Sequence, residues 1–195
     1  MAEYSGTQLN GNSLTLLNGD LAYDTTAINR GALLITDGAY AENTVLKTSS
    51  LREVSSGGIA NSVTISNGSG FVYSGGSAAN VGVEAFGSLT VSAGGTATNV
   101  TQANNGKIIT TVGGTNNTTF MTGNNSNGEF SLINNVASNF IIYLNAYQTV
   151  LSGGTTVDVR VNNKGVPEPP MMANNSPLWR LKLRLCMPLL LLGKT

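Results

Sequence analysis

The sequence predicts an all-β protein: a parallel β-helix, or β-solenoid, of about eight coils of roughly 19 residues, followed by an irregular C-terminal tail. Three observations predict it. A glycine pair recurs at near-constant spacing, a second glycine opens a short alternating apolar run between the pairs, and the composition changes abruptly after residue 165.

The pairs come first because they set the period. Clear copies are Gly57-Gly58-Ile59-Ala60-Asn61-Ser62-Val63, Gly75-Gly76-Ser77-Ala78-Ala79-Asn80-Val81 and Gly94-Gly95-Thr96-Ala97-Thr98-Asn99-Val100, which start 18 and 19 residues apart. The register extends to Gly113-Gly114-Thr115-Asn116-Asn117 and Gly153-Gly154-Thr155-Thr156-Val157 downstream, and to Asp37-Gly38 and Gly19-Asp20 upstream. Asn134-Asn135-Val136-Ala137-Ser138-Asn139-Phe140 fills the remaining gap as a copy in which Asn replaces Gly, the exchange expected where φ is positive.

The runs come second. Gly31-Ala32-Leu33-Leu34-Ile35, Gly87-Ser88-Leu89-Thr90-Val91 and Gly106-Lys107-Ile108-Ile109-Thr110 each read as a short strand between turns. One repeat therefore holds about two strand segments separated by Gly, Asn and Ser corners, and the body shows no 3.6-residue periodicity. A single unit cannot bury its apolar face. Stacking places Val63 over Val81 over Val100, and Leu89 over Ile108, so burial becomes cooperative along the axis. A polar column of Asn43, Ser62, Asn80, Asn99 and Thr118 recurs beside them. These residues fit a hydrogen-bonded side-chain ladder and equally fit turn positions that tolerate left-handed backbone.

The third observation sets the domain boundary, with the repeat domain over 1–165 and a linker and tail over 166–195. All five prolines fall after residue 165, together with the single Trp (Trp179) and the single Cys (Cys186). A proline inside the coils would remove ladder hydrogen bonds, whereas Val166-Pro167-Glu168-Pro169-Pro170 reads as an extended linker. Leu178 to Leu185 alternates apolar and basic residues, and an apolar stretch follows that is too short for a membrane-spanning helix.

Composition narrows the function. Charged residues are 10% of the chain, far below the roughly 25% of an average domain, and the formal net charge is +0. The tail carries Arg180, Lys182, Arg184 and Lys194 against Glu168, so the body is mildly acidic and offers no basic cluster for nucleic acid. There is no His, and the lone Cys lies in the tail, so the body is expected to hold neither a metal nor a disulfide. The N-terminus, Met1 to Gly6, has neither the basic nor the apolar region of a secretory signal.

The tandem Ser/Ala-Gly-Gly-x-Ala-x-Asn-Val copies that begin at Ser56, Ser74 and Ala93 resemble the AIDA-type repeats of autotransporter adhesin passengers, over most of residues 8–162. The resemblance implies a passenger attached at the outer membrane in its full-length parent. Such a passenger mediates adherence, autoaggregation and biofilm formation by contact with host or bacterial cell surfaces, including their carbohydrate, and by self-association. It also implies O-linked heptose on repeat hydroxyls, for which the matching positions are Ser56, Ser62, Ser74, Thr96 and Thr98. The glycines Gly57, Gly58, Gly75, Gly76, Gly94, Gly95, Gly113, Gly114, Gly153 and Gly154 are then structural. The family's translocating barrel is not encoded in this chain.

Two other classes compete: a carbohydrate-active β-helix enzyme and a truncated gene remnant without independent function. An enzyme would need acids converging on one face. The nearest grouping is Asp20, Asp24, Asp37 and Glu42, and Glu53, Glu84, Glu129 and Asp158 are scattered beyond it. No catalytic residue and no cofactor are expected.

Overall fold

A computed structural model describes residues 1–114, 118–143, 146, 148–163 and 166–167. Every regular element among them is a strand. Most strands pair in parallel with the strand one coil away, forming a 12-stranded sheet and a seven-stranded sheet that enclose one continuous core. The fold is therefore the predicted β-solenoid.

A representative coil shows how the sequence makes the turn. The strand Leu51–Val54 buries Arg52 and Val54, the corner Ser55 to Gly58 turns the chain, and the strand Ile59–Ser66 buries Ala60, Val63 and Ile65. The inward spacing from 60 to 63 is three rather than two because Ser62 has φ +50°, which bends the strand and resets its alternation. The same bend occurs at Asp24, Asn43, Asn80, Asn99, Asn139 and Asp158, all with φ between 50° and 58°. Each coil thus has three sides, where the sequence suggested about two strand segments. The long segment is two short strands joined at a left-handed residue.

The core columns follow the expected register. Val63, Val81 and Val100 stack, as do Ala60, Ala78 and Ala97, and Leu89 sits against Ile108. The 18-residue step has a local cause. Lys47 pairs with Ser66 and Leu51 with Ser69, so the corner after Ser66 is one residue shorter than the corner after Lys47.

The regular stack ends at Gly113-Gly114. In the earlier pairs only the first glycine has positive φ, but here both do, at +82° and +93°. The chain leaves the coil and builds an up-and-down excursion, with Phe120–Asn125 antiparallel to Gly128–Ile133, which is antiparallel to Val136–Ser138. It then returns through Gln148–Val150, which pairs directly with Lys107–Val112. Gly114 donates its N–H to the Ser152 carbonyl (2.9 Å), so the pair Gly153-Gly154 lies beside Gly113-Gly114.

The stretch beginning Asn134-Asn135 keeps the register of a repeat copy, since Val136–Ser138 pairs in parallel with Thr155–Val157 and Asn139 makes the bend, but it is entered from an antiparallel strand. Asn134 and Asn135, with φ 51° and 61°, close that hairpin, the geometry of a type I′ turn. One expectation is corrected by this excursion: Thr118 does not belong to the bend column. Between Ala97 and Val100 the facing strand, from Met121 to Gly123, is one residue shorter and has no bend. Thr115, Asn116 and Asn117 and the tail from Glu168 to Thr195, with Trp179 and Cys186, lie outside the described residues.

Candidate functional site

The candidate site residues fall on the corners, the bends and one outer strand face of the solenoid. At the Gly-Gly corner a column runs through Asn18, Asp37, Ser56 and Ser74, each one place before a left-handed glycine. Ser56 and Ser74 are exposed. Their hydroxyls lie over the next coil's first glycine: a Cβ at Gly75 would stand 2.5 Å from Ser56 Oγ, and one at Gly94 would stand 2.6 Å from Ser74 Oγ. The glycines thus serve two needs, a positive φ of +74° to +80° and room for the hydroxyl of the preceding coil. The second glycine meets backbone instead, since a Cβ at Gly58 would approach the Ile35 carbonyl oxygen to 2.6 Å and one at Gly76 the Val54 carbonyl oxygen to 2.5 Å. Gly95 and Gly154 are closed in the same way by the carbonyls of Val72 and Val112. Gly153 has φ +78° with nothing near its Cβ position.

The corner is tied along the axis by backbone hydrogen bonds. The N–H of Gly38 donates to the Gly57 carbonyl, Gly57 to Gly75 and Gly75 to Gly94, at 2.9–3.2 Å. At Gly94 the acceptor changes to Thr119 Oγ1 (3.1 Å), which closes this corner where the excursion begins.

The remaining candidate hydroxyls are placed differently. Ser62 is half-buried at a bend, and Thr96 and Thr98 are half-buried on the outer face of one strand, in register with Ser77 and Ala79 of the coil before. The structure therefore brings Ser56 and Ser74 into one exposed column and leaves Ser62, Thr96 and Thr98 on a second face.

On that second face runs a ladder of planar polar groups. Asn99 Nδ2 donates to Asn80 Oδ1 (2.6 Å), Asn80 Nδ2 to Asn61 Oδ1 (2.8 Å), and Asn61 Nδ2 to Glu42 Oε1 (3.1 Å). Asn43 Nδ2 separately donates to Asp24 Oδ1 (2.8 Å). The bend residues Asp24, Asn43, Asn80 and Asn99 thus serve both roles, left-handed backbone and side-chain hydrogen bonding between coils. Ser62 alone is too short for the ladder, which therefore passes through its neighbour Asn61, a residue the sequence did not single out. Register could have found it, since Asn61, Asn80 and Asn99 are spaced by 19.

Aromatic rings flank this ladder. Tyr23 and Tyr40 lie with centroids 6.4 Å apart, and partial burial raises the Tyr40 phenol above its usual range. Phe71 and Tyr73 stack at 6.2 Å on another face, with the Tyr73 hydroxyl donating to Glu53 Oε1 (3.3 Å).

The acids nearest one another in sequence are divided among these features. Asp20 is buried and accepts the N–H groups of Ala2 (2.6 Å) and Leu17 (3.0 Å), which hold its carboxyl below the usual carboxylate range. Asp24 and Glu42 accept ladder bonds, and Asp37 lies over Gly57. Among the described residues no three His, Cys, Asp or Glu side chains converge on a point.

No family model matches the chain, and no curated protein matches it. Among solved structures it is similar to the crystal structure of a hyper-glycosylated fragment of TibA, glycosylated by TibC, with a TM-score of 0.54 and 18% identity over 83% of this chain and 76% of that one. At that identity the likeness concerns the fold.

Proposed function

We propose that this chain is a passenger segment of a bacterial surface adhesin of the autotransporter type, a binding and structural module and not an enzyme. It is carried at the cell surface by its full-length parent. There the solenoid is a rigid spacer whose corner hydroxyls accept sugars and whose long polar faces contact host or bacterial surfaces, their carbohydrate included. Many weak identical sites along one axis add through avidity.

The observation that carries the reading is the repeated exposed corner, with Ser56 and Ser74 in one column above glycines that leave their hydroxyls uncrowded. A neighbour of known structure with this fold is itself hyper-glycosylated. The AIDA-like copies at Ser56, Ser74 and Ala93 point the same way.

The test is to co-express the chain with TibC and read its intact mass, then display it on non-adherent bacteria and count attachment to epithelial cells. Added sugar that falls in the Ser56→Ala/Ser74→Ala double variant, together with a gain in attachment, is expected. An unmodified chain that leaves attachment at background overturns the proposal.

A further inference from the structure

Between the long bent strand and the short strand that follows it, successive coils turn a second corner through an exposed left-handed residue: Arg30, Ser49, Asn67, Phe86 and Asn105, with φ from 59° to 68°. Four of the five are polar, and asparagine is a residue that this backbone suits. Phe86 is the exception. A bulky side chain at positive φ is a genuine outlier, and Phe86 is also 67% exposed, so it gains no core burial in return. The fold does not require a phenylalanine there, as Asn67 and Asn105 at the same place show. Residues held in such backbone cluster at ligand-binding positions, where the strain holds a side chain ready.

The corner places hydrogen-bonding groups on both sides of Phe86. Its N–H donates to the Asn105 carbonyl (3.3 Å), and the N–H of Ser88 donates to the Gly68 carbonyl (3.0 Å), so the corners of Asn105 and Asn67 lie against it in the two directions of the axis. Successive coils are about 4.8 Å apart. The side-chain amides of Asn67 and Asn105 are exposed and take no part in the ladder, and neither has a hydrogen-bond partner among the described residues. The Asn105 corner is anchored in turn by the Tyr143 hydroxyl, which donates to Asn104 Oδ1 (3.2 Å). Glu84, exposed two places before Phe86, adds a carboxylate, and Lys107 two places after Asn105 offsets its charge.

We propose that Phe86, flanked by Asn67, Asn105 and Glu84, is a stacking site for one neutral hexopyranose unit of a surface glycan. The apolar C–H face of the pyranose covers the ring, and the planar amides and carboxylate exchange hydrogen bonds with its hydroxyls. An apolar protein pocket closing on Phe86 would strip water from those polar groups without replacing it, which a sugar does not. The balance of Glu84 and Lys107 suits an uncharged sugar. The proposal rests on the adhesin reading in taking carbohydrate as what the solenoid meets, and it names the place and the class of sugar.

The experiment is saturation-transfer NMR on the 195-residue chain, with its aromatic protons irradiated while the methyl glycosides of glucose, galactose and mannose are titrated. The methyl glycoside of N-acetylneuraminic acid is the charged comparison. The ring C–H protons of a neutral glycoside should receive saturation, one face most strongly. Phe86→Asn installs the residue of the flanking coils in a backbone that suits it, and its dissociation constant should be about tenfold higher. Phe86→Trp, which keeps an aromatic face, should retain binding. Absence of transfer to every neutral glycoside, equal affinity in Phe86→Asn, or a preference for the neuraminic acid glycoside overturns the proposal. The assay needs neither TibC nor display on cells. A silent panel from a chain that TibC modifies and that confers attachment overturns this site and leaves the adhesin reading standing. Binding by a chain that fails both of those tests supports the site and overturns that reading.

Discussion

Thr44 Oγ1 is fully buried and has no hydrogen-bond partner, and the same holds for Thr25 one coil earlier. Three later coils carry Val63, Val81 and Val100 at the equivalent place, immediately after the bend. A buried hydroxyl without a partner costs about 1–3 kcal/mol of desolvation, whereas valine has nearly the same shape and no polar atom. Thr44→Val is therefore expected to stabilise the chain by about 1 kcal/mol, raising the urea midpoint with an unchanged slope. The glycines obey the complementary rule. Gly76 is required by a neighbouring carbonyl and Gly153 by its φ alone, although both stand in the same sequence motif.

The bend between the two halves of the long strand is the element that makes a coil rather than a flat ribbon. Asn80 serves it twice, by adopting φ +54° and by linking Asn61 to Asn99. The contributions separate by substitution, because glycine retains the backbone geometry and alanine does not. Exposed hydrogen bonds of this kind contribute modestly, so Asn80→Gly is expected to cost about 1 kcal/mol, the scale of one net hydrogen bond. Asn80→Ala adds the left-handed penalty and should cost roughly 2–3 kcal/mol. Chemical denaturation of the two variants checks the order, and a larger loss for glycine than for alanine would contradict the role given to the bend.

Across the whole molecule, each coil touches little beyond its neighbours, so stability is close to a sum of coil and interface contributions. The strands Glu3–Ser5, Gln8–Asn10 and Ser13–Leu16 pair on one side only, while Ile59–Ser66, Ser77–Val83 and Thr96–Gln102 pair on both. Amide exchange should consequently be slowest over residues 59–102 and faster by one to several orders of magnitude at the first strands, a gradient that native-state hydrogen exchange reads directly. Uniform protection along the chain would instead mean that the stack unfolds as one unit. Glycan attached at Ser74 would lie on this best-protected portion, and glycan at Ser56 on the corner just before it.

The sequence by itself determined the period, the parallel stacking of Val63, Val81 and Val100, and the glycine corners, because a repeat that must bury the same face in each copy repeats its apolar and left-handed positions at fixed intervals. Only the tertiary structure decided where the repeat is interrupted and what the core encloses. The motif at Gly113-Gly114 resembles the others, but there both glycines turn left-handed and the chain makes hairpins before resuming its coil. Arg52 lies in an alternating segment that equally permits an outward side chain, and Gly70 in the following coil leaves a space beside it. Local pattern specifies alternation, but which phase faces inward, and what a neighbouring coil leaves unfilled, are settled only when the coils pack.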